Sequence, residues 1–85
     1  MKIVFSKHAR EDKFPALARH EFYLDEKDVI KVIEEPEHED KESDKPNIIA
    51  SKSLDEKHVL RVVYRKENDI IKIITFYPAE KGRYY

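Results

Sequence analysis

The stretch His58-Val-Leu-Arg-Val-Val-Tyr-Arg-Lys-Glu-Asn-Asp-Ile-Ile-Lys-Ile-Ile-Thr-Phe-Tyr-Pro78 decides the fold, because it has the pattern of two β-strands joined by a tight turn. β-Branched and aromatic residues lie on both sides of Asn68-Asp69, a pair that suits the positive φ angles of a hairpin turn. We therefore expect strands over 58–66 and 70–78. Their nearly continuous hydrophobicity is typical of strands that are at least partly covered on both faces.

Alternation divides the side chains of each expected strand between two faces. On the first strand the two sets are His58, Leu60, Val62, Tyr64 and Val59, Arg61, Val63, Arg65. On the second they are Ile70, Lys72, Ile74, Phe76 and Ile71, Ile73, Thr75, Tyr77. Whether Arg61 and Tyr77 share a face depends on a register that the sequence leaves open.

The residues before the hairpin predict one further strand and a first helical region. Lys2–Phe5 is a short run of β-type residues, and Ser6 is a suitable N-cap for a helix that begins at Lys7. Pro15 lacks an amide hydrogen, so we expect a break near Lys13-Phe14 and a new start over 16–20.

The middle of the chain predicts a second helix, an acidic loop and a strand. Asp25 caps an amphipathic helix over 26–35, which Pro36 ends. An acidic loop covers about 36–47, and its start could form a short edge strand. Residues 47–52 then form the strand that precedes the hairpin.

The predicted order is β-α-α-β-β-β, in a single domain that covers residues 1–85. Two helices between a first strand and a three-strand meander predict an α+β fold. We expect an antiparallel-dominated sheet with both helices packed on one face. The first strand is expected to lie beside a later one.

Composition excludes several functional classes. The chain has no cysteine, so it has neither a disulfide framework nor a thiolate nucleophile. No apolar run approaches the roughly 20 residues that span a bilayer, and the short apolar start is unlike a signal peptide, so a cytoplasmic protein is expected. The histidines lack zinc-site spacing, and the acidic run 34–44 lacks the ligand order of a calcium loop. We predict neither a metal nor a cofactor.

Charge is unevenly distributed along the sequence. Residues 23–47 carry 4 basic and 10 acidic groups, whereas residues 48–85 carry 8 basic and 5 acidic groups. The strand-rich C-terminal half is therefore mildly basic and could accept a polyanion. The chain as a whole lacks the high pI of a dedicated nucleic-acid-binding protein.

Four short motifs resemble the RelE/ParE superfamily of small toxins. The sequence is most similar to a branch with an early Ser-x-His-Ala segment and a final Thr-x-Tyr-Pro strand. The matching segments are Ser6-Lys-His8-Ala9, Asp28-Val29…Val32-Ile33…Pro36-Glu37, Leu60-Arg61-Val62-Val63-Tyr64 and Ile73-Ile-Thr-Phe-Tyr-Pro78. The resemblance implies a RelE-like fold and a toxin-type endoribonuclease. It also implies RNA or the ribosome as a target and an antitoxin protein that blocks the site.

Such a reaction needs no metal, because a ribose 2′-hydroxyl attacks the phosphate with the help of a base, cations and an acid. By the resemblance, Arg61 and Arg83 would clamp the phosphate, Tyr77 would stack or transfer a proton, and His58 would act as base or acid. The residues that would contact RNA are Lys52, Arg65, Tyr84 and Tyr85.

The residues themselves leave other functions open. Arg61 lies between Val59 and Val63 in its set of alternating residues, so it must reach solvent, pair with an acid or point into a groove. His8 would belong to a site only if it came within reach of Arg61 or Tyr77, and would otherwise pack against the sheet. A non-catalytic interaction module, acting as a homodimer or with another partner, is one alternative. An RNA-binding protein that does not cleave is another.

Overall fold

The computed structural model describes residues 2–82, which form a five-stranded sheet with helices on one face. The strands are β1 (Lys2–Phe5), β2 (His38–Asp40), β3 (Ile48–Ser53), β4 (His58–Glu67) and β5 (Ile70–Glu80). A π-helical segment (His8–Lys13) leads into α1 (Phe14–Ala18), and α2 covers Glu26–Glu34. The radius of gyration of 12.2 Å matches the roughly 12 Å expected of a folded chain of this size.

The sheet has the order β1-β5-β4-β3-β2, so the predicted hairpin lies at its centre. β1 runs parallel to β5, and the other neighbouring pairs are antiparallel. The α+β class, the antiparallel-dominated sheet and the placement of the first strand beside a later one are confirmed. The predicted order of elements gains a fifth strand, because the start of the acidic loop forms β2, the short edge strand that the sequence left open.

The first helical region changes its hydrogen bonding at the position where a break was expected. The π-helical segment ends at Lys13 and α1 begins at Phe14. Pro15 lies in the first turn of α1, the part of an α-helix in which proline is best tolerated. α1 covers Phe14–Ala18, so it begins and ends two residues before the expected restart over 16–20.

The second helix begins as predicted. The Asp25 carboxylate accepts from the Asp28 amide at 3.0 Å, and the Asp28 carboxylate accepts from the Asp25 amide at 2.9 Å. This reciprocal capping box satisfies two backbone donors at the start of α2. Val29 and Val32 are buried against the sheet, as the apolar stripe predicts.

The helices cover the sheet face that carries Leu60, Val62 and Tyr64. These side chains join Phe76, Ile73 and the buried helix residues in one core cluster. We call this side of the sheet the helix face, and the opposite side the open face. On β4 the open-face residues Val59, Arg61 and Val63 are also buried, as expected for the central strand.

A β-bulge in β5 overturns the predicted alternation on that strand. Val63 pairs with Thr75 and Tyr64 pairs with Ile73, so Ile74 is an extra residue without a counterpart. Ile71 and Ile73 therefore pack on the helix face, whereas Thr75 and Tyr77 lie on the open face. The four residues do not form the single set that strict alternation predicts.

Candidate functional site

A row of four polar residues crosses the open face. His38 of β2 pairs with Ser51 of β3, Ser51 pairs with Arg61 of β4, and Arg61 pairs with Tyr77 of β5. Residues that are directly opposite each other in antiparallel strands point to the same face. We call these four residues the polar row. The register thus brings together Arg61 and Tyr77, two of the predicted catalytic residues.

Arg61 is held in place by Tyr77. The Arg61 Nε donates a hydrogen bond to the Tyr77 hydroxyl at 3.1 Å, and the guanidinium carbon lies 5.7 Å from the centroid of the Tyr77 ring. Arg61 is only 8 % exposed. Two contacts with one aromatic side chain therefore restrict both the position and the plane of this cation.

Ser51 contributes a buried hydroxyl to the polar row. The side chain is 1 % exposed, and its oxygen has no hydrogen-bond partner in residues 2–82. A buried hydroxyl without a partner is unfavourable for folding, and such a group is one indication of a functional site. Ser51 was not among the predicted site residues. Its signal in the sequence is a polar residue within the apolar strand 47–52, but only the register places it beside Arg61.

Two more cations extend the open face beyond the polar row. Arg65 lies two residues beyond Val63 on β4 and pairs across the sheet with Lys72 of β5. The Arg65 guanidinium bonds the Glu67 carboxylate through Nε at 2.9 Å and Nη2 at 2.8 Å. Arg65, a predicted RNA-binding residue, therefore shares a face with Arg61.

A histidine from the other end of the chain lies at the margin of this face. The His8 Nε2 atom is 3.5 Å from the Thr75 Oγ1 atom, and its Nδ1 atom is 3.4 Å from a carboxylate oxygen of Asp12. Thr75 is two residues from Tyr77 on the open face. His8 thus comes near the candidate site, although it was not among the predicted catalytic residues.

Two of the predicted site residues lie on the helix face instead. His58 contacts the Phe22 ring edge to face at 5.2 Å, and its Nδ1 lies 2.9 Å from the Asp55 carboxylate. The pKa of Asp55 is lowered, first by the Lys57 amide and also by His58. Because His58 and Arg61 differ by an odd number of positions along β4, the structure does not bring them together.

Lys52 is also separated from the polar row, because it follows Ser51 on β3 and therefore points to the helix face. It pairs with Leu60, a core residue of the helix face. Its ammonium donates to the Glu35 carbonyl at 2.8 Å and lies 3.8 Å from the Glu35 carboxylate. Lys52 therefore joins the end of α2 to β3. Arg83, Tyr84 and Tyr85, the predicted tail residues, lie outside the described residues.

Residues 2–82 contain no cluster of three or more histidine or acidic side chains that could hold a metal ion. In the same part of the chain, no helix combines the length and the apolar character needed to cross a bilayer. Comparisons with protein-family models, curated proteins and solved structures find no match to this chain.

Proposed function

We propose that this protein is a toxin-type endoribonuclease of RelE-like architecture that cleaves RNA without a metal. The Arg61–Tyr77 pair on the open face carries the proposal. A guanidinium suits a phosphate because it is planar, is always charged and offers several donors. Tyr77 orients that guanidinium and supplies an aromatic ring on which a base can stack.

The surroundings of this pair also suit an RNA strand. Arg65 and Lys72 supply further positive charge on the same face, at a distance along β4 of about 13 Å from Arg61. That span covers about two nucleotides of an extended strand. Single-stranded RNA binds to sheets that combine such cations with exposed aromatic rings. An antitoxin partner, as the resemblance implies, would inhibit the enzyme by covering this face.

The proposed reaction is a transesterification within the RNA. The ribose 2′-oxygen forms a bond to phosphorus while the bond from phosphorus to the 5′-oxygen breaks. The products are a 2′,3′-cyclic phosphate and a 5′-hydroxyl, so no oxidant, metal or water is consumed. Arg61 would stabilise the negative charge that develops on the phosphoryl oxygens.

The test is cleavage of an unstructured RNA oligonucleotide by the purified protein in the presence of a chelator. Wild-type protein is expected to yield cyclic phosphate ends, and a DNA oligonucleotide of the same sequence is expected to stay intact. Arg61→Ala is expected to lower the rate about 10²- to 10³-fold. Arg61→Lys should recover only part of it, because an ammonium lacks the planar fork of donors.

Arg19→Ala is the matched control, because Arg19 is an exposed arginine on the turn after α1. Arg61 is buried, so circular dichroism and urea unfolding must show that its variants fold. Growth arrest on expression of wild-type protein, relieved by Arg61→Ala, would support the toxin function. Intact RNA with folded wild-type protein would contradict it.

A second function is RNA binding without cleavage. It is favoured by the position of His58, which lies on the helix face and so leaves the Arg61–Tyr77 pair without that histidine. Binding of the RNA oligonucleotide by wild-type protein, lost in Arg61→Ala and unaccompanied by cleavage, would establish it.

A further inference from the structure

Two segments from opposite ends of the sequence meet beside the bulge of β5. The Ser6 amide donates to the Ile73 carbonyl at 2.9 Å, and the Ser6 hydroxyl donates to the Ile74 carbonyl at 2.9 Å. The same hydroxyl accepts from the Ala9 amide at 3.1 Å, so Ser6 also caps the helical segment. Ala9 is fully buried against the sheet. These contacts fix the backbone on both sides of His8.

The anchored backbone directs His8 toward the open face. Its ring lies between the Asp12 carboxylate on the Nδ1 side, at 3.4 Å, and the Thr75 hydroxyl on the Nε2 side, at 3.5 Å. A carboxylate beside Nδ1 favours the neutral tautomer that carries its proton there. Nε2 then presents a lone pair that can accept a proton. The side chain is 57 % exposed, so a substrate can reach it.

We infer that His8 is the general base of the cleavage reaction, that Asp12 is its positioning residue and that Tyr77 is the general acid. This inference rests on the proposed function. Nε2 of His8 accepts the proton of the 2′-hydroxyl as the 2′-oxygen bonds to phosphorus. The Tyr77 hydroxyl gives its proton to the 5′-oxygen as that bond breaks. Exchange with water then returns both side chains to their starting states.

The arrangement of the open face suits this division of roles. The Tyr77 hydroxyl oxygen accepts from Arg61, so its own proton remains available for donation. Thr75, which His8 contacts, and Tyr77 are alternate residues of one strand, about 7 Å apart. A phosphate bound by Arg61 would therefore have the acid beside it on β5 and the base next along the same strand. The 3.5 Å contact in the free protein is compatible with catalysis, because such contacts tighten when substrate binds.

The test compares two RNA oligonucleotides that differ in the leaving atom, which is either the normal 5′-oxygen or a 5′-bridging sulfur. Sulfur leaves without protonation, so it makes a general acid unnecessary. His8→Ala is expected to lower the rate about 10²- to 10⁴-fold on both substrates, with RNA affinity unchanged. Tyr77→Phe is expected to lose much more rate on the oxygen substrate than on the sulfur substrate, where only its hydrogen bond to Arg61 is missing. Free imidazole should restore part of the His8→Ala rate.

His20→Ala is the matched control, because His20 is an exposed histidine on the turn after α1. Asp12→Asn should give a smaller loss than His8→Ala, also on both substrates. Wild-type rates in His8→Ala, alongside a loss in Arg61→Ala, would overturn the role of His8 and leave the proposed function standing. Recovery of His8→Ala on the sulfur substrate would also overturn it, because His8 would then be the acid. Absence of cleavage by wild-type protein would overturn both proposals.

Discussion

At the scale of single residues, the polar row contains two buried polar side chains. Arg61 and Ser51 are neighbours in the centre of the sheet, and both are more than 90 % buried. Tyr77 compensates for the burial of Arg61 with a hydrogen bond and a ring contact. Ser51 has no such compensation for its hydroxyl in the described part of the chain. Residues at binding sites often lower stability in this way.

We predict that Ser51→Ala stabilises the protein. Removing a buried hydroxyl that lacks a partner abolishes its desolvation cost and leaves the backbone hydrogen bonds of β3 intact. The free energy of unfolding should rise by about 1 kcal/mol, measured by urea denaturation. Ser53→Ala is the control on the same strand, because the Ser53 hydroxyl donates to the Glu37 carboxylate at 3.0 Å. A loss of stability in Ser51→Ala equal to that in Ser53→Ala would contradict the prediction.

At the scale of elements, the bulge at Ile74 determines which residues of β5 reach the open face. Without the extra residue, Thr75 and Tyr77 would share a face with Ile71 and Ile73 and would enter the core. The bulge separates the two pairs, so the isoleucines pack under the helices while the polar residues face outward. The Ile74 carbonyl also accepts a hydrogen bond from the Ser6 hydroxyl, and this bond anchors the start of the helical segment. One irregular residue therefore serves both the site and the packing.

The turn after β2 is a second element whose effect can be measured, because it lowers the pKa of Asp40. Hydrogen bonds from the Ser43 hydroxyl, the Ser43 amide and the Glu42 amide lower the pKa of Asp40 from 3.8 to about 2. A carboxyl group whose pKa is depressed by folding stabilises the protein fully above its unfolded pKa. That contribution is lost as the pH falls from about 4 to about 2.

We therefore predict that Asp40→Asn destabilises the protein at pH 6 and that the difference from wild type shrinks as the pH approaches 2. Asparagine retains an oxygen acceptor for the two amides but lacks the negative charge that strengthens these hydrogen bonds. Urea unfolding at several pH values measures the difference, and an NMR titration of the Asp40 carboxyl group gives its midpoint. Glu56→Gln, at an exposed carboxyl outside the turn, is the control. An Asp40 midpoint near 4 would contradict the prediction.

At the scale of the whole molecule, the sheet brings together cations from two strands. Arg61 and Arg65 of β4 and Lys72 of β5 share the open face, where Glu67 pairs with Arg65. The formal net charge of −1 does not show this local grouping. If the proposed function is right, RNA binds at these cations although the molecule as a whole is not basic.

We predict that RNA binding weakens with salt in proportion to the phosphates that these cations contact. Two to three contacts with single-stranded RNA give a slope between about −1.4 and −2.1 for the logarithm of the association constant against the logarithm of salt concentration. Fluorescence anisotropy with a labelled oligonucleotide measures this slope. Arg65→Ala should make it less negative by about 0.7, and Arg19→Ala should leave it unchanged. A slope near zero would show that the open face does not contact phosphates.

The sequence by itself determined the features that depend on neighbouring residues. The hairpin around Asn68, the capped start of α2 at Asp25 and the antiparallel-dominated α+β class follow from turn chemistry, capping and periodicity. It also indicated Arg61 as a residue that an apolar strand does not explain. Each of these signals is contained within a few consecutive positions.

Only the tertiary structure decided which residues share the open face. Local periodicity contains no information on register, and a bulge arises from hydrogen bonding between strands, so neither the Arg61–Tyr77 pair nor the separation of Tyr77 from Ile73 could be predicted. His8 is 67 positions from Thr75 in the sequence, and their contact depends on how Ser6 docks on β5. The elements are specified locally, whereas the site is specified by long-range pairing.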